Sequence, residues 1–396
     1  MEKLKVLYIQ HTSMLGGSSK SLLELIENLP SDIIPHVLCP KGAYSDLHES
    51  KGIKVFNTLG IPQFDNTRYG HYRKFRWLIL LREFFYLPFL FFKILSLRKE
   101  KYDVIHINDI TQIYSLIFAR LFLSKNIIIH CRAMYSEKDS FRTKILRNIL
   151  NKFVKVIIPI DKSVSNTLIN INNKHIIHNG LSLENINIES RNRDIFTVGI
   201  VANFQRYKGI IEYLEAANIC INEKKLQIKF DIYGASYQNN KSLKDKLFQL
   251  LGFRENLNQI VKEKIYSNKL KHNITLKGFV YTTDEIYNNI DLHVFPSHLN
   301  AAGRPVFEAA FYKIPSIVAI ENPFDDAIID GQTGVCIKEK DSMALANAIE
   351  KLYKDRKLLE KMGKESHKLA HKYYNSKNNA LKIYELYKLM LKDKNV

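Results

Sequence analysis

From Phe295 to Ala310 the chain reads Phe-Pro-Ser-His-Leu-Asn-Ala-Ala-Gly-Arg-Pro-Val-Phe-Glu-Ala-Ala. Four residues in this stretch can bind and polarise a ligand: Asn300, Gly303, Arg304 and Glu308. Gly303 lets an anion approach bare backbone, and Arg304 offers a planar cationic fork. Glu308, about one turn into a following helix, can accept hydrogen bonds from hydroxyls. An anion beside a polyol suggests a sugar nucleotide.

These residues need a strand, a tight loop and a helix to position them. Asp291 to Phe295 is a short apolar run rich in β-formers and reads as a buried strand. Pro305 to Tyr312 reads as a helix, with proline near its start where a missing N–H costs least. The loop between them is expected to aim free N–H groups and the positive end of the helix dipole at whatever lies beyond the strand. A second strand–Gly-Gly–helix element comes early, where a strand over Leu4 to Ile9 leads through Gly16-Gly17 into a helix over Ser19 to Asn28. Gly16 and Gly17 would bring bare backbone to a ligand; an ordinary tight turn is the alternative.

The rest of the chain alternates β and α segments. Strands are expected at 36–39, 54–57, 103–109, 126–136, 155–159 and 175–178. After a polar stretch, 181–194, strands are expected at 195–202, 227–233, 274–280, 314–319 and 334–338. Helices are expected from Ile210, over 242–266, and over 342–353, 356–371 and 377–392. The strand over 126–136 delivers His130 and Arg132 to its carboxyl end, where open α/β sheets bind ligands. The alternative for His130 is a buried ring held by backbone. This divides the chain into a first Rossmann-like domain (1–180), a linker (181–194), a second Rossmann-like domain (195–375) and a C-terminal helix (376–396).

Composition narrows the function. A chain of 396 residues exceeds one typical core. Cys39, Cys131, Cys220 and Cys336 form no Cys-x-x-Cys pair, as expected of reduced cytoplasmic thiols. The first apolar run is too short for a signal-peptide core. A formal charge of +19 calls for an anionic partner. No nucleic-acid-binding signature is present, so an anionic membrane surface is preferred, a lysine-rich solvated surface being the alternative. The basic, aromatic segment at 68–77 leads into a long apolar stretch, 78–95. Arg82, Glu83, Lys93 and Pro88 argue against a membrane span. Two readings stay open there: a helix pair packed on the sheet, or an interfacial helix whose Arg73, Lys74, Arg76 and Trp77 meet lipid headgroups.

The ordered markers Gly16-Gly17, His130, Asn179-Gly180, Lys208-Gly209, Gly278-Phe279, Pro296-Ser297, Gly303, Glu308-Ala309, Pro315 and Asp330-Gly-Gln-Thr-Gly334 resemble the retaining glycosyltransferases of family 4. The resemblance covers nearly the whole chain and is weakest over 68–101. It implies a GT-B fold: two Rossmann-like domains facing across a cleft that holds the donor, with a C-terminal helix crossing back to the first domain. It also implies that Lys208 neutralises the donor diphosphate, with Arg206 close by, and that Glu308 holds the ribose. Gly278 and Phe279 would border the base; His130 and Gly16-Gly17 would lie over the sugar.

Three departures stand out. Asn300 replaces a usual glutamate, Asn203 replaces a usual arginine, and Pro305 removes an N–H from the phosphate turn. The expected activity is metal-independent, retaining transfer of a hexose-type sugar, taken as UDP-linked, to a saccharide. The acceptor would be lipid-linked, at the inner face of the cell membrane, for surface polysaccharide. No cofactor is expected, since the nucleotide-sugar is a substrate. The alternatives are a sugar-nucleotide epimerase on the same fold, or a non-catalytic membrane-bound partner of another transferase.

Overall fold

Among the described residues twelve strands, most of them largely apolar, set the architecture: β1 Leu4–Ile9, β2 Ile33–Pro40, β3 Lys54–Thr58, β4 Val104–Ile107, β5 Ile127–Cys131, β6 Val156–Pro159, β7 Phe196–Val201, β8 Ile228–Tyr233, β9 Ile274–Gly278, β10 Leu292–Phe295, β11 Ser316–Ala319 and β12 Gly334–Ile337. Strands apolar on both faces need cover on both faces, which parallel sheets with crossover helices supply. The computed structural model describes residues 3–68, 78–138, 140–182, 186–189, 194–234 and 257–392. Arg73, Lys74, Arg76 and Trp77 lie outside the described residues, as does much of the helix expected over 242–266, of which Leu257–Ser267 is described.

The chain forms two units. One comprises Met1–Leu183 and Tyr374–Val396, the other Glu184–Tyr373. The first holds a parallel sheet in the order β3-β2-β1-β4-β5-β6; the second holds one in the order β12-β11-β10-β7-β8-β9. Counted from the first strand of each sheet, both have the doubly wound Rossmann order, so each has one point where the winding reverses. Those points lie between β1 and β4 and between β7 and β10.

In the first unit, Leu7 and Ile9 pack on one side of the sheet with Leu90 and Ile94, while Val6 and Tyr8 pack on the other. That second side is closed by the C-terminal helix Ser376–Lys392, which contributes Ala380, Ile383, Tyr387 and Met390 beside Leu22 and Leu25. Its Tyr387 hydroxyl lies 2.6 Å from His106 Nδ1 and 3.2 Å from the Tyr8 hydroxyl. The chain returns to this unit through a close backbone approach. Leu181 N donates to Tyr374 O at 2.8 Å, and a Cβ on Gly180 would lie 2.5 Å from Ser376 Cα.

Two expectations need correction. His175 to His178 is not a strand. The only bridge there pairs Lys174 with Ile157; His175 and Ile177 then donate to Ile157 O and Pro159 O at the sheet edge. The first helix spans Gly17–Glu27 rather than starting at Ser19. Ser19 lies in its first turn, where its hydroxyl accepts from Gly16 N at 2.7 Å and reaches Met14 O at 2.9 Å.

Candidate donor-binding site

The β7–β10 reversal gathers most of the residues singled out from sequence. Beyond β7, a short 3₁₀ turn, Arg206–Lys208, ends at Gly209 with φ 75°. A Cβ on Gly209 would overlap the carbonyl oxygen of Pro296, just past β10. The two loops are joined further by His298 N donating to Tyr207 O at 2.8 Å and Ser297 Oγ donating to the same oxygen at 3.2 Å. His298 Nε2 also lies 3.0 Å from Glu212 Oε1 on the helix Ile210–Asn218. Gly209→Ala is therefore expected to cost at least about 1–2 kcal/mol from the left-handed backbone alone, and to detach the Lys208 turn from β10. Thermal melting with and without UDP checks it; an unchanged melting temperature and an unchanged UDP shift would refute this role.

Lys208 is half-buried, and desolvation lowers its pKa from the ordinary lysine value. Its Nζ sits 5.3 Å from the Tyr207 ring centroid and 5.6 Å from that of Phe295. Among the described residues no carboxylate pairs with it and no acceptor bonds to it. Cation–π contact returns about 0.5–2 kcal/mol, less than the several kcal/mol that taking an ammonium out of water costs. A cation so placed is under-compensated until an anion arrives. Simple surface solvation does not describe it.

Glu308 lies on the helix Arg304–Phe311, its side chain 15% exposed. Its Oε1 accepts from Arg304 Nε at 2.7 Å and its Oε2 accepts from the Tyr287 hydroxyl at 2.9 Å. An ionised carboxylate has about four lone-pair sites. Two fixed donors orient it and leave two sites for hydroxyls. Sequence pattern did not reveal Tyr287, because its partnership with Glu308 is non-local. Arg304, read from sequence as a phosphate fork, has its Nε bonded to Glu308 one turn along its own helix.

The helix start carries fewer N–H groups toward the loop than expected. Pro305 has none, and Val306 N donates to Gly303 O at 2.9 Å. The glycine at 303 answers a packing demand: a Cβ there would lie 2.5 Å from the Phe295 ring. Asn300 has φ 47° and its Oδ1 accepts from Glu321 N, so asparagine suits the left-handed backbone and its carbonyl oxygen is already engaged. Gly278 has φ 70° and no packing neighbour for a Cβ, so the backbone alone requires it. Phe279 beside it is 55% exposed and stacks edge-on with Tyr281, which rules out core packing. Asn203 and Arg206 are exposed on the loop that carries Lys208.

The first unit repeats the layout at its own reversal. Gly16 and Gly17 are exposed, and a Cβ on either would meet nothing, so neither packing nor a left-handed backbone explains them. His130 is 2% exposed; burial, then Arg132 and His106, push its pKa well below the usual imidazole value. Its Nε2 has no hydrogen-bond partner, and its Nδ1 lies 3.4 Å from Arg132 Nη2. Arg132 is held by Asn108 Oδ1 at 2.7 Å and by Asn179 Oδ1. The neutral imidazole is thus positioned by a side-chain network rather than by backbone.

Two Rossmann-like units in one chain are the architecture of the GT-B fold. The family model "Glycosyltransferase Family 4" matches residues 15–185, and "Glycosyl transferases group 1" matches residues 182–369. The chain belongs to the family 4-type glycosyltransferases. It is 26% identical over 201 residues to the capsular polysaccharide biosynthesis glycosyltransferase CapM of Staphylococcus aureus, covering 50% of this chain and 48% of that one. It is 24% identical over 176 residues to the poly(glycerol-phosphate) alpha-glucosyltransferase of Bacillus subtilis, covering 44% and 23%. The chain therefore spans less than half the length of either relative. In structure it resembles Anabaena HepE in complex with UDP, with a TM-score of 0.72 at 16% identity, covering 96% of this chain and 99% of that one. At that identity the likeness speaks for the fold.

Proposed function

We propose that this protein transfers a hexose-type sugar from a nucleoside diphosphate, taken as UDP, to a saccharide acceptor, with retention at the anomeric carbon. The observation that carries the proposal is the half-buried, unpaired Lys208 ammonium, fixed by Gly209 against the loop that precedes Glu308. In this reading Lys208, with Arg206 and the backbone near Gly303, neutralises the diphosphate as its bond to the sugar breaks. Glu308 takes the ribose hydroxyls, and Gly278 and Phe279 border the base. His130 and the Gly16-Gly17 loop serve the sugar and the acceptor. The acceptor hydroxyl attacks from the face the phosphate leaves, and a phosphate oxygen assists removal of its proton.

The finer assignment is a lipid-linked saccharide extended at an anionic membrane surface on the cytoplasmic side, for surface polysaccharide. The relatives named for capsule and poly(glycerol-phosphate) glycosylation support that direction. The test is a thermal-shift screen of UDP, GDP and ADP and their sugars, followed by transfer assays on saccharide acceptors. UDP and a UDP-hexose should raise the melting temperature, and product should form only with acceptor present. Asn300, whose amide oxygen is engaged with Glu321 N, supports a second reading of altered chemistry. Conversion of the donor without acceptor would establish an epimerase-like activity, and nucleotide binding without turnover would establish a non-catalytic partner.

A further inference from the structure

The helix Ile79–Ser96 has two unlike faces. One is part of the first unit's core: Leu90 and Ile94 are fully buried, and Phe91 packs edge-on against Phe118 and Phe122 of the neighbouring helix. Glu83 is buried too, accepting from Gln63 N at 2.8 Å and pairing with Arg82. The other face is apolar and uncovered: Leu81 is 67% exposed, Phe85 59%, Phe89 43% and Phe92 66%. These recur at three- and four-residue intervals, so they form one stripe along the helix. Isolated exposed apolar residues need no explanation, but a contiguous aromatic stripe marks an interaction surface.

The surrounding charge identifies the occupant. Of the seven charged residues from 78 to 101, five are cationic: Arg82, Lys93, Arg98, Lys99 and Lys101. The two acids are already engaged, Glu83 in the interior and Glu100 with Lys5 and Lys54. A second copy meeting this face through a two-fold axis would set cationic surround against cationic surround. An anionic bilayer complements both parts, apolar stripe and cationic surround. No described helix is long and apolar enough to cross a membrane.

We infer that the helix Ile79–Ser96 lies in the plane of an anionic bilayer and inserts Leu81, Phe85, Phe89 and Phe92 among the acyl chains, so that apolar insertion rather than headgroup pairing holds the protein there. This rests on the membrane assignment proposed above and specifies its surface and mode. Insertion and electrostatic adhesion respond differently to salt, because 1 M salt shortens the screening length to about 3 Å but leaves apolar burial intact.

The experiment is flotation of the full chain with phosphatidylglycerol–phosphatidylcholine vesicles in 0.1 M and 1 M NaCl. Wild type should float in both. The Phe85→Ser/Phe89→Ser/Phe92→Ser variant should lose at least tenfold in partitioning, yet melt like wild type and transfer sugar normally to a water-soluble acceptor. A Phe89→Trp probe in a Trp77→Phe background should be quenched by brominated acyl chains. Wild-type flotation of the triple variant, loss of wild-type flotation in 1 M salt, or an unquenched probe would overturn the inference. So would sedimentation showing a wild-type dimer that the triple variant dissolves, which would assign the stripe to a second copy. Vesicle insertion without sugar transfer would leave the inference standing and sink the catalytic proposal instead.

Discussion

Lys208→Ala is expected to lower kcat/KM by roughly 10²–10³ while leaving the unliganded protein as stable as wild type or slightly more so. The two effects share one cause. A unit charge about 4 Å from a phosphate oxygen contributes about 4 kcal/mol at the effective dielectric of a partly buried site. Loss of one preorganised charge-stabilising donor typically costs two to three decades in rate. The free protein, by contrast, holds this ammonium partly out of water with two aromatic rings beside it, so its removal relieves a desolvation cost. Steady-state kinetics with melting curves, both with and without UDP, check the pair. A variant that loses activity because it unfolds would assign Lys208 a structural role.

The same burial gives a pH signature. Desolvation puts Lys208 below the ordinary lysine value. Between its folded and unfolded pKa values the unfolded chain binds more protons, so this residue's contribution makes the unliganded protein gain stability as pH rises through that window. A bound diphosphate favours the charged form, so UDP binding takes up a proton there and weakens with rising pH. Calorimetric titration of UDP across the alkaline range should show that weakening in wild type and lose it in Lys208→Ala.

Glu308→Ala should lower kcat/KM by a similar factor, on the order of 10²–10³, because two hydrogen bonds from ribose hydroxyls to a charged acceptor are worth about 1.5–3 kcal/mol each. Unlike Lys208→Ala, it should also destabilise the free protein. Deleting the carboxylate removes the charged acceptor of Arg304 Nε and of the Tyr287 hydroxyl, which keeps Pro305 O at 3.2 Å, at about 1.5–3 kcal/mol for each lost bond to a charged group. Glu308→Gln keeps an acceptor for Tyr287 and should recover most of the stability but little of the activity. Kinetics and melting of the two variants together separate the roles, and wild-type turnover in Glu308→Ala would refute the ribose assignment.

Much of the fold was legible because parallel strands buried on both faces leave unbroken apolar runs. Leu4–Ile9 was read to the residue, and Val104–Ile107, Ile127–Cys131 and Leu292–Phe295 lie inside the expected ranges. The segment at 175–178 misled because it has strand composition but meets only the outer edge of β6, where one bridge forms. Strand order is a tertiary property, so the two reversal points were not visible in the chain. Within the candidate site, sequence pattern singled out motif residues but not several of the side chains that the fold sets beside them. Arg304 and Glu308 stand four apart on a helix, the spacing of an internal ion pair, yet both were read as facing the ligand. Gly303 was read as a phosphate approach, while the Phe295 ring gives it a packing reason that no local pattern carries. Asn300 was read as a ligand-binding residue in place of a usual glutamate; its left-handed backbone and its bond to Glu321 N also give it a conformational task.

The central claim is that a diphosphate seats against the Lys208 ammonium with a ribose on Glu308, and crystallography of the UDP complex tests it most directly. Phosphate density within about 3 Å of Lys208 Nζ, with ribose hydroxyls on the free lone pairs of Glu308, is the expected result. UDP density elsewhere on the molecule, with Lys208 still lying unpaired over Tyr207 and Phe295, would contradict it.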